Sequence, residues 1–181
     1  EPSVFPESAR RFAGVDQRAV ALTLAQAAAR LNAPMASSTG RLFDAAAALL
    51  GVCTASRYEG EAAMRVEAAA GARAGGRALP FPVVERDGLL EMDPIPLLAA
   101  LVARREAGAD PATLAAAFHD AVARTLVRAA TQVAAGAGLD VVALGGGAIQ
   151  NARLLTSIRD GLAARGLRVL VARALPPNDG A

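Results

Sequence analysis

Apolar residues recur at helical spacing from Gln17 to Leu31 (Val20, Leu22, Leu24, Ala27, Ala28, Leu31), and Asn32 with Pro34 stops the run. The spacing predicts one helix. Ser37 and Ser38 offer N-cap hydroxyls to a second, Arg41 to Leu50, in which Leu42, Phe43, Ala46, Leu49 and Leu50 make one stripe and Gly51 marks the end. Tyr58 to Ala70 predicts a third, acidic at its N-terminal end as the helix dipole favours. Between Gly71 and Pro96 the texture changes to Gly and Pro, and two short apolar pieces, Leu79 to Val84 and Leu89 to Met92, flank Asp87-Gly88 as in a hairpin. Helical period returns in Pro96 to Arg105 and in Thr113 to Ala135, where Asp110-Pro111 places proline at a helix start.

The C-terminal pattern is the most specific. Leu139 to Leu144 is a continuous apolar run of buried-strand length, Gly145-Gly146-Gly147 predicts a turn, Ala148 to Arg165 is an amphipathic helix closed by Gly166, and Leu167 to Val171 is a second strand. Strand, turn, helix and strand in so short a span make a βαβ unit, which requires parallel strands and a right-handed crossover. The expected fold is α/β with many added helices. Glu1 to Arg11, with two prolines and no periodicity, reads as a linker or a cut edge following an upstream domain.

Composition narrows the class. The length of 181 residues fits one domain, and 54% apolar residues with only 3% aromatic imply a core of Leu, Val, Ala and Ile in closely packed helices. No apolar run approaches the roughly 20 residues needed to cross a bilayer, and the start has no signal-peptide pattern, so the expected location is cytoplasmic. The single Cys53 fits a reducing compartment, and nothing near it in sequence activates a thiol. All 19 basic residues are arginines, scattered singly or in adjacent pairs with almost no aromatics to stack on bases, which disfavours nucleic-acid binding.

Ligands of open α/β sheets sit beyond the carboxyl ends of the strands, where Gly145 to Gly147 fall. Glycines there permit positive φ and close approach of a ligand to the backbone, although they serve equally as a bare strand-to-helix turn. The cluster is neither a P-loop nor a dinucleotide fingerprint. Gln150 and Asn151 follow it, where an amide can meet a ribose or base edge, or simply cap the helix. Pro176-Pro177-Asn178-Asp179-Gly180 puts a carboxylate at the same sheet edge, suited to a hard cation or to an ordinary turn.

The run VVALGGGAIQNARLLTSIRDGLAARGLRVLVARALPPNDG resembles the C-terminal core of the HypF carbamoyltransferases of hydrogenase maturation, and ASSTGRLFDAAAALLGV followed by SRYEGEAA resembles that family's other recurrent segment, in the same order. The resemblance implies a lobe of the actin, sugar-kinase and Hsp70 (ASKHA) superfamily with a mixed β-sheet and added helices, similar to the TsaD-type threonylcarbamoyl-transfer proteins. It implies that Asp44, Gly145, Gly146, Gly147, Gln150 and Asn151 bind a nucleotide and that Asp179 binds a metal. Implied ligands are ATP and carbamoyl-adenylate formed from carbamoyl phosphate, a divalent zinc or iron, and magnesium with ATP. The implied partner is a HypE-like acceptor whose C-terminal cysteine takes the carbamoyl group. Tyr58-Glu59-Gly60-Glu61 departs from the glycine pair of TsaD-type proteins. The family's metal-binding histidine pair has no counterpart here, since His119 stands alone in a long helix as an ordinary core histidine would. The expectation is therefore a C-terminal part of the transfer domain, inactive by itself.

Two other readings fit the same residues. One is a carbamoyltransferase acting on tRNA or a small-molecule hydroxyl. The other is a non-catalytic nucleotide-binding or interaction module.

Overall fold

The structure, a computed structural model, describes residues 16–172. Helix α1 (Gln17–Ala28) is capped by Asp16 and ends three residues before the predicted Leu31, because Arg30 and Asn32 take left-handed backbone at φ 52° and 53°. No residue of α1 is buried, and Leu22 and Leu31 stay 62% and 59% exposed. Its periodicity predicted the helix; it did not predict a buried face within this chain.

Helix α2 (Thr39–Leu50) begins on Ser38, whose hydroxyl accepts from Arg41 N at 3.3 Å, and stops at Gly51 with φ 72°. Helix α3 (Glu61–Ala70) starts later than predicted, since Tyr58 to Gly60 form a turn with Gly60 at φ 82°. Strands β1 (Val83–Arg86) and β2 (Leu89–Met92) pair antiparallel across Asp87-Gly88, both at positive φ as a tight hairpin turn requires. Leu79 and Phe81, predicted in the first strand, instead anchor in the core, beside Pro80 and Pro82, which cannot donate to a ladder.

Helix α4 (Ile95–Glu106) follows, and then the long α5 (Pro111–Ala137), with Asp110 accepting from Thr113 N at 3.0 Å. α5 is the central helix of the described residues and packs against α2, α3, α4 and a further helix, α6 (Ala152–Ala163). Alanines 115, 116, 117, 121 and 123 on α5 are all buried, so neighbouring helices approach it closely. Phe43 of α2 meets Phe118 of α5 edge to face, with ring centroids 5.0 Å apart.

Strands β3 (Val141–Leu144) and β4 (Arg168–Val171) are parallel, as the βαβ pattern predicted. Two expectations are corrected here. The described residues form two separate two-stranded sheets in place of one mixed sheet. β3 is only half-buried, and Leu170 of β4 is 56% exposed, because α5 and α6 pack against the pair while one face stays open.

Candidate functional site

β3 delivers the chain to Gly145 to Gly147, all exposed. Of the three, Gly146 uses the conformational freedom of glycine, at φ 90° and ψ 163°. A side-chain carbon built on Gly146 or Gly147 would meet nothing within 4 Å, so open space lies directly against this backbone. The chain then makes a 3-10 turn, Gly147–Gln150, in place of the predicted first turn of the helix. Gln150 is exposed there, while Ile149 is buried and fixes the turn to the core.

Asn151 is the N-cap of α6. Its Oδ1 accepts from Leu154 N at 2.8 Å, and the residue is only 8% exposed. Its Nδ2 lies 2.9 Å from Nε2 of His119, and Nδ1 of His119 lies 2.8 Å from the Ala115 carbonyl oxygen. The capping reading of Asn151 is thus realised, and these two bonds use one of its two amide hydrogens and one of the two oxygen lone pairs. His119 is fully buried at 1% exposure, with Phe43 stacked edge-on against it at 5.3 Å. Burial holds its imidazole below the ordinary value of 6.5, against the opposing pull of the Ala115 carbonyl. Nothing in the sequence pattern linked His119 to Asn151.

Asp44 lies on α2 next to Phe43, and α2 packs against the 3-10 turn that follows the glycines. Its carboxylate is paired with Arg41 at 2.9 Å and is about one-third exposed. Two concavities lie elsewhere. A groove of about 610 Å³ is lined by Leu79, Phe81, Arg124, Thr125, Arg128 and Arg165 among others, and a smaller one between α5 and α6 includes Asp120 and Ser157. Asp44, the glycine turn and Asn151 line neither.

Two polar clusters were not predicted. Glu61 is 1% exposed and accepts from Arg57 N at 2.6 Å, from Arg57 Nη2 at 2.9 Å and from Arg65 Nη2 at 2.7 Å. Those arginine bonds, Arg57 foremost, outweigh burial and pull its carboxyl down to about 2. The spacing of Glu61 and Arg65 was a legible signal, since residues four apart share a helix face, whereas Arg57 reaches Glu61 from the loop before the helix. Arg153, two residues into α6, bonds Gly71 O at 3.0 Å and Asp120 at 2.9 Å, tying the ends of α3 and α6 to the middle of α5.

No group of three or more potential metal ligands occurs among the described residues, and both nitrogens of His119 are already engaged. Asp179 lies outside the described residues. The described residues do not by themselves form a metal site. Cys53 is buried, its Sγ 3.5 Å from Ala55 O. No helix among the described residues is long and apolar enough to cross a membrane.

Residues 4–181 match the family model for the carbamoyltransferase Kae1-like domain, second subdomain. The chain belongs to the HypF carbamoyltransferase family. A HypF homolog of Cupriavidus necator is 41% identical over 179 residues, covering 96% of this chain and 45% of that protein. HypF of Rhodobacter capsulatus is 42% identical over 155 residues, covering 85% of this chain and 19% of its own length. A crystal structure of full-length HypF in its phosphate- and nucleotide-bound form superposes with a TM-score of 0.88 at 30% identity, over 96% of this chain and 23% of that one. The chain thus spans less than half the length of these HypF relatives.

Proposed function

We propose that this chain forms one wall of the nucleotide site of a HypF-type carbamoyltransferase acting in hydrogenase maturation. In this reading the glycine turn, Gln150 and Asn151 receive the nucleoside part of carbamoyl-adenylate, and Asp44 approaches it from α2. The fold is the second-subdomain lobe of an ASKHA-type domain. The acceptor is the C-terminal cysteine thiolate of a HypE-like partner, which attacks the carbamoyl carbon as the adenylate leaves. ATP and carbamoyl phosphate supply the activated group at another site.

The observation that carries the reading is the chain of contacts from α2 through Phe43 and His119 to Asn151, which joins the two recurrent sequence blocks at one place. Open space against Gly146 and Gly147 supports it. The chemistry asked of these residues is positioning: amide and backbone groups hold the leaving nucleotide while the carbonyl is attacked.

The test is transfer in a full-length relative, with the Asn151 and Asp44 counterparts replaced by alanine. Adenylate formation should persist while transfer to the acceptor thiol falls by at least tenfold. Unchanged transfer in both variants refutes the assignment.

A further inference from the structure

We propose that His119 is a positioning residue for the glycine-turn site, fixing the orientation of the Asn151 amide from the middle of α5 by acting as a hydrogen-bond acceptor. Its consequence for a ligand rests on the nucleotide assignment; the hydrogen-bond geometry does not.

Two contacts determine the state of the ring. Nδ1 lies 2.8 Å from the Ala115 carbonyl, which can only accept, so Nδ1 carries a proton. Nε2 lies 2.9 Å from Asn151 Nδ2, which can only donate, so Nε2 is bare. The neutral Nδ1–H tautomer satisfies both contacts, whereas imidazolium would set N–H against N–H. The amide cannot turn over, because its Oδ1 is held by Leu154 N at 2.8 Å. The ring cannot turn freely either, with Phe43 at 5.3 Å and Phe118 at 6.0 Å packed edge-on to it.

A core histidine serving packing alone needs only the bond to its own helix at Ala115. Here the second nitrogen crosses to the N-cap of α6, next to the turn where the ligand is placed. The charged groups acting on the ring are Arg153 of α6, which opposes protonation, and Glu67 of α3 and Asp120 of α5, which favour it. α2 presents the uncharged Phe43. Acidification therefore converts Nε2 from acceptor to donor and releases the amide. Site geometry and histidine charge are coupled.

Side-chain NMR of the ¹⁵N-labelled chain tests this. At pH 7 the His119 ring should show a protonated Nδ1 and a bare Nε2, and the Asn151 amide pair should be well resolved and slow to exchange. Both signatures should collapse together on acidification. His119→Phe fills the space without an acceptor, and His119→Gln restores a carbonyl acceptor. In a titration with ATP, His119→Phe should reduce the shifts at Gly146 and Asn151 at least fivefold, and His119→Gln should return most of them. A protonated Nε2 in the unmodified chain overturns the proposal even if the phenylalanine variant fails to fold. So does a folded His119→Phe whose Asn151 amide and ATP response match the unmodified chain. If the tautomer and amide are as stated but ATP shifts nothing near the turn, the positioning stands and the nucleotide assignment fails.

Discussion

Replacing Asn151 by alanine removes two interactions at once, and their sum can be worked from the geometry. Loss of the 2.8 Å cap to Leu154 N costs about 0.5–2 kcal/mol. Leaving Nε2 of a histidine with 1% exposure without its donor costs about 1–3 kcal/mol more. The expected loss is about 1.5–5 kcal/mol, a large part of the roughly 5–15 kcal/mol that a domain possesses. With a urea slope of about 2 kcal/mol/M, the midpoint should fall by roughly 0.8–2.5 M without a change of slope. Asn151→Asp refines the test, since it keeps the cap acceptor but sets an oxygen against the bare Nε2, so the ring must take a proton. In the unmodified chain the folded value of His119 is lowered, so its contribution is present above about 6.5 and is lost as pH falls through the folded value. In Asn151→Asp the folded value should rise, so stability should be greatest below about 6.5 and fall as pH increases. Denaturant unfolding between pH 5 and 8 reads both slopes. A loss below about 0.5 kcal/mol for the alanine variant, or slopes of the same sign in the two proteins, would falsify the linked Asn151–His119 pair.

Glu61, held down to about 2 from 4.5, contributes stability that is present above about 4.5 and lost as pH falls toward 2; Glu61→Gln should remove that acid slope and lower stability at neutral pH, as thermal unfolding across pH 2–7 would show. Gly75 is buried, and a side-chain carbon there would lie 2.6 Å from Ala117 Cα and 2.8 Å from Ala117 N, besides striking the Asp120 carboxylate that pairs with Arg153. Gly75→Ala should cost about 1–3 kcal/mol by overpacking, measured as a lowered urea midpoint. Thr125→Val deletes the 2.7 Å bond to Phe81 O that pins the segment before β1, and should cost about 1–3 kcal/mol because a buried carbonyl loses its donor; hydrogen exchange should accelerate in residues 79–92.

Local chemistry made much of the fold legible. Ser38 and Gly51 bound α2, Asp110-Pro111 start α5, and Asp87-Gly88 turn the hairpin, each through a bond or backbone angle that one or two residues decide. The parallel pair followed from the strand, turn, helix, strand order. Burial was less legible, because periodicity shows that a face is apolar and not whether this chain covers it: α1 is helical with no buried residue, and β3 is half-exposed. The start of α3 was misplaced because Gly60 takes positive φ and Glu61 turns inward to two arginines, while acidic first turns commonly face water. At the site, the glycine turn is exposed and α2 packs beside it, while Asp44, the turn and Asn151 line neither of the two concavities. The bond between His119 and Asn151 was not legible, since it joins two helices by a contact that neither local pattern announces.

A backbone-amide NMR titration of the chain with ATP tests the central assignment most directly. A site with one wall should bind with a dissociation constant of about a millimolar, roughly 4 kcal/mol, because a few hydrogen bonds must offset the freedom lost on association. The shifts should gather at Gly145 to Gly147, Gln150, Asn151 and the first turns of α2 around Asp44. Shifts confined to the groove of Arg124, Arg128 and Arg165, or none at the glycine turn at ten millimolar ATP, would contradict the assignment.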